Sequence, residues 1–440
     1  MELEDWKTEL LAAIDNDHQA LLAFLQKLVQ TPSPNPPGDT QAAIGVVEDF
    51  LHSHDIDRRL VSPQLTKPNL TASFDARPHK SPGPTLVLNG HIDAFPVENA
   101  SDWHRDPYSG DIENGFLHGC GTVDMKAGTA ALVAAYVYLH ARKDLLNGRL
   151  ALTIVSDEET GGEWGSRYLL DHDGDREIWR GDCVLNAEPT GLDTIRFGEK
   201  GTLRTTFTIK AEAAHGAYIH RTEGAIRIAS RVIQRLLALE TMESPNMPPS
   251  IRAHLLRSDV RARIDQVMGA GAAASMLHPT VNIGTIHGGV KVNMIPSTCV
   301  FEVDIRLPIG LTTKTILDEI REMLQDVPEA SFEVQSAASN PASASAPDHH
   351  LVDVVRKNAE LVRGKRRAPL AIPSLGATDC KFWRYARVPA YSFGVSPETM
   401  AAVDERVSVK EFIDLVKIQA LAAAEYLMTG GSEASDLKQY

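Results

Sequence analysis

Cysteine is scarce in this chain, with four in 440 residues, at Cys120, Cys183, Cys299 and Cys380. Their scattered spacing matches neither a zinc finger nor a disulfide framework, so a stapled secreted domain is excluded and a reducing compartment is expected. Cations are also in the minority: 44 Lys and Arg stand against 58 Asp and Glu, a net charge of −14. That balance argues against nucleic acid or an anionic membrane surface as the partner. No run is long and apolar enough for a membrane span, and the first residues are acidic and helix-forming, unlike a signal peptide, so a cytoplasmic location is expected. No histidine follows His350.

What is present is organised around residues 150–162, LALTIVSDEETGG. The apolar run 150–155 reads as an interior strand of a mostly parallel sheet, and it ends in Asp157, Glu158 and Glu159. The C-terminal ends of such strands are where α/β proteins place their chemistry. Three successive carboxylates repel one another, so gathering them there requires a cation, either an Arg or Lys cluster or a metal ion. Taken alone, the stretch would equally suit a solvated acidic turn.

Three further segments repeat the pattern. Residues 85–90 form a second apolar strand ending in His91-Ile92-Asp93, where side-chain alternation puts His91 and Asp93 on one side, so Asp93 can reach the far ring nitrogen of His91. Residues 119–128 set Asp124 in a glycine-rich turn before a long Ala-rich helical run. Residues 183–190 form another strand that ends in a carboxylate, Glu188. His104 and His118 are extra candidate ligands, with solvated or structural roles as the alternative. Cys120 reads as a small packed residue, with a reactive thiol as the alternative.

The segments LNGHID, GTVDMKAG, SDEETGG and AEPT, in this order, resemble the co-catalytic zinc aminoacylase and carboxypeptidase family. That family includes acetylornithine deacetylase, succinyl-diaminopimelate desuccinylase and glutamate carboxypeptidase, and the resemblance covers residues 21–426. It implies that Asp124 bridges two metal ions, that His91 and Glu188 complete one site, and that Glu159 serves the other. Glu158 would be the general base and Asp93 would orient His91. The division between Glu158 and Glu159 comes from the resemblance, because spacing does not distinguish them. A cis peptide between Asp124 and Met125 is also implied. Zinc is the implied cofactor, as one or two ions, with cobalt or manganese as substitutes; it would acidify water and polarise an amide carbonyl.

The expected fold class is α/β, a zinc-peptidase-like mixed sheet flanked by helices, with an inserted ferredoxin-like α+β lid and dimerisation domain. Residues 1–200 and 337–440 would form the catalytic domain and residues 201–336 the insert. Within the insert, strands at 202–211, 280–286, 299–307 and 331–335 and helices at 223–239 and 313–324 follow a β-α-β-β-α-β order. The segment 242–277 expands it with no derivable purpose. Elsewhere the sequence predicts one amphipathic helix over 3–29, a proline-rich break at 31–38, a plain linker at 336–348 and a solvated basic turn at 363–367.

For the insert, the resemblance implies that His215 reaches across a homodimer to the scissile carbonyl oxygen, where charge develops. Asn293 and Arg306 would hold substrate, Arg306 through its planar fork on a carboxylate, and Gly376 and Thr378 would also contact it. Local alternatives are that His215 caps the following helix and that Arg306 pairs with Asp304 or Glu302. One position departs from the family pattern. Ala401 stands where a histidine would complete the Glu159 metal site, so the second ion would be weak, rearranged onto oxygen ligands or absent.

The leading expectation is therefore a metal-dependent hydrolase that cleaves the amide of an N-acyl amino acid or dipeptide-like substrate carrying a carboxylate. The alternatives are a related metalloenzyme catalysing amide condensation or elimination, and a non-catalytic binding protein on the same scaffold. Glu199-Lys200 stands where desuccinylases carry a basic pair, which points away from an acyl group ending in carboxylate.

Overall fold

The computed structural model describes residues 5–76, 83–365 and 368–429. The chain divides into two compact units, one of residues 1–197, 345–371 and 378–440, the other of residues 198–344 and 372–377.

The first unit is built on a mixed sheet. Its strand order is Arg59–Gln64, Lys67–Ala76, Gly148–Val155, Thr85–His91, Cys183–Asn186, Ala390–Ser392, then Thr194–Glu199, along which the chain passes into the second unit. The four strands from Gly148–Val155 to Ala390–Ser392 are mutually parallel. They are short, apolar and buried on both faces, as parallel strands covered by helices must be. One face packs on Ala127–His140 and Val409–Thr429. Ala127–His140 is buried almost along its whole length, which explains an apolar surface all round in place of a stripe. The other face meets Ser166–Asp171, Arg176–Arg180 and Cys380–Tyr385 through Val87, Ala151, Val184, Leu169, Trp179 and Trp383.

Two glycines let the backbone around Glu188 sit deep. A Cβ on Gly128 would lie 2.3 Å from the Ala187 carbonyl oxygen, and one on Gly394 would lie 2.3 Å from the same atom and 2.4 Å from the Glu188 carbonyl oxygen. Backbone cannot yield as a flexible side chain does. Gly128→Ala is therefore expected to destabilise by about 1–3 kcal/mol, although alanine is the better helix former by up to about 1 kcal/mol. Gly45, also helical but with nothing within 4 Å of its added Cβ, supplies the control: Gly45→Ala should raise stability by about 0.5–1 kcal/mol. Denaturant midpoints of the two variants moving in the same direction would contradict this packing.

The second unit carries a four-stranded antiparallel sheet in the order Thr280–Gly288, Thr298–Leu307, Gly201–Lys210, Ala330–Val334. Helices Ala225–Leu237 and Thr313–Met323 bury their apolar stripes against Leu203, Phe207, Phe301 and Val303. Phe207 and Phe301 stack with ring centroids 4.9 Å apart. This is the ferredoxin-like order. The segment 242–277 is largely helical, with Pro249–Leu255, Ser258–Met268 and Ala272–Ser275.

Several sequence expectations need correction. The single helix over 3–29 is two, Asp5–Asn16 and His18–Val29, with residues 3 and 4 outside the described range. The break falls at Asp17, whose carboxylate accepts a 2.8 Å hydrogen bond from the Tyr138 hydroxyl. The stretch 336–348, within which the chain returns to the first unit, also holds a turn at Ser336–Ala338 and a strand at Ser343–Ala344. In the basic turn, Arg363 is not solvated: its guanidinium donates to the Leu192 carbonyl at 2.6 Å and to Asp193 at 2.8 Å. Arg366 and Arg367 of that turn lie outside the described residues.

Candidate metal centre

The parallel strands of the first unit end side by side, so their C-terminal extensions share one region. His91 closes its strand, Glu158 and Glu159 follow Gly148–Val155, and Glu188 follows Cys183–Asn186. Asp124 comes from the turn ahead of Ala127–His140, and its peptide bond to Met125 is cis, as expected. Two groups of side chains converge there with ligand atoms within 4.8 Å of one another: His91, Asp124 and Glu159, and His91, Glu158 and Glu188.

His91 is buried, and its two nitrogens face opposite ways. Nδ1 lies 2.9 Å from the Asp93 carbonyl oxygen and 3.5 Å from the Asp93 carboxylate. The closer ring partner is thus the backbone oxygen, where sequence alternation pointed to the side chain. Nε2 lies 3.1 Å from Asp124 Oδ1 and 3.5 Å from Glu188 Oε1. An Nδ1–H donated to Asp93 leaves the Nε2 lone pair directed at the carboxylates, the orientation a metal-bound imidazole takes.

The electrostatics show what this arrangement requires. Burial, reinforced by the Glu188 charge, holds the Glu158 carboxyl well above its usual range. Burial and the Asp124 charge push Glu159 up to about 11. The same causes raise Glu188 to about 7. Burial would lower His91, but its contacts with Asp124, Asp93 and Glu188 outweigh that and raise it well above the ordinary histidine value. Glu159 Oε1 is buried with no hydrogen-bond partner. One imidazole, four carboxylates and an orphaned oxygen together fit a divalent cation, which would supply the positive charge the cluster lacks.

Asp93 and residues outside the expected set hold the centre in shape. The Asp93 carboxylate accepts from Asn35 Nδ2 at 2.8 Å and from the backbone N–H groups of Glu158 at 3.3 Å and Glu159 at 3.1 Å. It therefore ties the His91 strand end to the acidic turn. Asp157 receives Lys67 Nζ at 2.5 Å and the Trp164 N–H at 2.9 Å, which accounts for the first member of the acidic triplet. Glu405, 3 % exposed, accepts the backbone N–H groups of Gly121, Val123 and Asp124 at 2.8, 2.7 and 3.2 Å. Burial raises Glu405 to about 7 against these bonds, which favour the charged form. Ser166 donates to Asp379 at 2.7 Å, beneath the same strand ends.

Other candidates stand apart. His104 is 87 % exposed, and its Nδ1 is 2.5 Å from Asp404. His118 is buried in Phe116–His118, and burial holds its ring below the ordinary histidine value. Neither belongs to a ligand group among the described residues. Cys120 is buried, and burial pushes its thiol up to about 12, which suits a packed residue. Ala401 is exposed with φ 55°. All four cysteines are free and buried.

The expected catalytic residue His215 and three of the expected substrate residues lie in the second unit. His215 is exposed, and its Nδ1 accepts the Ala217 N–H at 3.2 Å. It caps its own turn, while the following helix begins after Gly224. Asn293 is exposed, and its carbonyl accepts the Gly216 N–H at 2.8 Å. The Arg306 fork lies on Asp304, at 2.8 Å from Nε and 3.0 Å from Nη2, with Thr202 3.0 Å from Nη1. Gly376 is exposed, its N–H donating to Ser374 Oγ at 3.2 Å. Thr378, in the first unit, accepts the Lys381 N–H at 3.1 Å through its carbonyl.

Residues 87–425 match the family described as Peptidase family M20/M25/M40. The chain is similar to the succinyl-diaminopimelate desuccinylases of Cereibacter sphaeroides, at 29% identity over 92% of this chain and 98% of the relative, and of Methylorubrum populi, at 30% identity over 93% and 98%. Its fold is that of an M20 family metallo-carboxypeptidase from Sulfolobus solfataricus, with a TM-score of 0.74 at 18% identity, covering 92% of this chain and 99% of that one. Site and relatives together define a metal-dependent amide hydrolase. The chain belongs to peptidase family M20/M25/M40.

Proposed function

We propose that the protein removes the acyl group from an N-acyl amino acid, or cleaves a dipeptide-like amide, with Glu158 as general base and zinc as the metal. The convergence of His91, Asp124, Glu158, Glu159 and Glu188 at adjoining strand ends carries this reading. His91, Asp124 and Glu188 would hold one ion, and Asp124 with Glu159 a second. A bound zinc ion lowers the pKa of water towards neutrality and polarises an amide carbonyl. Glu158 takes the proton of the attacking water and delivers it to the leaving nitrogen. Asp93 fixes the backbone of Glu158 and the ring of His91, so base and ligand keep their spacing. In a homodimer, His215 would reach across to the other copy's substrate and donate to the carbonyl oxygen as charge develops on it.

Arg306 receives the substrate carboxylate, exchanging its fork from Asp304, with Asn293, Gly376 and Thr378 as further contacts. A charge-assisted pair of this kind contributes about 1.5–3 kcal/mol, so Arg306→Ala is expected to raise KM by roughly 10- to 150-fold on a carboxylate substrate while kcat changes far less. An unchanged KM would remove Arg306 from the site. Lys200, of the Glu199-Lys200 pair, is buried, and its Nζ donates to the Ser275 and His278 carbonyls at 2.7 and 2.8 Å. An ammonium held this way favours an acyl group without a terminal carboxylate. A panel of N-acetyl, N-succinyl and longer N-acyl amino acids tests that choice, and preference for the succinyl substrates would reverse it.

The second unit serves as the dimer surface. Among the described residues Thr280–Gly288 is an edge strand with an unpaired side; Ile286 within it and Val290 and Val292 after it are 51%, 95% and 102% exposed. Sedimentation should give a dimer of the 48.0 kDa chain; a monomer at working concentration would contradict it. Four free thiols suit a reducing compartment such as the cytoplasm. Among the described residues no helix is long and apolar enough to cross a membrane.

A further inference from the structure

We infer that the two ion positions of this centre are chemically unequal. One carries the sole imidazole and holds zinc tightly; the other is built from oxygen ligands alone and takes a hard, exchangeable divalent cation such as Mn2+ or Mg2+. The inference rests on the metal-centre reading above. Both converging groups include His91, and among the described residues neither includes a second histidine or a cysteine. His91 itself offers one nitrogen, because Nδ1 is engaged by the Asp93 carbonyl at 2.9 Å. The nearby alternatives are committed elsewhere. Cys120 Sγ is directed at the Phe95 carbonyl, 3.4 Å away, and His104 is paired with Asp404.

Two ions cannot share one lone pair. The ion at Nε2 draws on Asp124 and Glu188, which already stand 3.1 and 3.5 Å from it. The second has Asp124 and Glu159, whose Oε1 is buried without a partner. Imidazole with carboxylate suits zinc. A site of carboxylates and water suits Mn2+, Mg2+ or Ca2+, and loses the nitrogen contribution on which tight zinc binding depends. At limiting free zinc the imidazole position fills first, and the oxygen position remains open to whichever hard cation is abundant.

The test equilibrates the purified full-length chain with zinc held scarce by a chelating buffer and manganese in excess, then counts both metals per chain and records the electron paramagnetic resonance spectrum. Expected are one zinc and one manganese, the latter with the six-line signal of an isolated ion, and loss of manganese but not zinc on gel filtration. Glu159→Gln should remove the manganese and keep the zinc, with an unchanged melting temperature in zinc showing that the fold survives. Two zinc ions and no manganese, or a Glu159→Gln chain that loses zinc and retains manganese, would overturn the inference. A chain that binds neither metal would overturn the metal-centre reading itself.

Discussion

Replacing Glu158 with glutamine is expected to lower kcat by about 10²- to 10⁴-fold, the usual contribution of a positioned general base, while leaving metal content and melting temperature close to those of the parent. Glutamine keeps the shape of the side chain, and the backbone N–H at this position still reaches Asp93. The charge removed is one that burial and Glu188 already disfavour, so its loss should not weaken the fold. Glu159→Gln, by contrast, should alter metal content, because Glu159 belongs to a converging group with His91 and Asp124 and its Oε1 is buried without a partner. Identical behaviour of the two variants would refute the division of labour between these neighbours.

Stripping the metal should make stability fall steeply as pH rises. In the metal-free chain Glu188 is raised from 4.5 to about 7 and Glu159 from 4.5 to about 11. A carboxyl that binds its proton more tightly when folded contributes stability below its unfolded pKa and loses it as pH climbs towards the folded one. His91, also raised, acts in the same direction, whereas Asp93, lowered below its ordinary value, is ionised throughout this window. Glu188 alone would cost about 3 kcal/mol between pH 4.5 and 7, and its neighbours add to that. Bound zinc replaces those protons, so the loaded chain should keep its stability over the same range. Thermal melts of chelated and zinc-loaded protein between pH 5 and 8 check this, and parallel curves would contradict it.

The residues that converge at the strand ends were legible in the sequence as positions where an apolar strand closes or a helix opens, boundaries that follow from local pattern, while their roles as ligands came only from the resemblance. The supports were not. Glu405 and Asn35 act on segments hundreds or tens of residues away, holding the Asp124 turn and Asp93 respectively. The only sequence signals were a carboxylate beside the Ala401 loop and a polar residue set among prolines. Arg306 shows the reverse case. Its sequence context allowed both a substrate clamp and a pair with Asp304, and the structure displays the pair. The break at Asp17 escaped because the apolar period continues across it, and only the contact with Tyr138 reveals why the chain turns there.

Metal-dependent amide hydrolysis is tested most directly by cleavage of a panel of N-acyl amino acids by the purified chain, assayed as isolated, after chelation, and after zinc is restored. Amide hydrolysis should disappear with the metal and return with it. Hydrolysis that survives complete chelation, or a zinc-loaded chain that cleaves no amide of the panel, would contradict it.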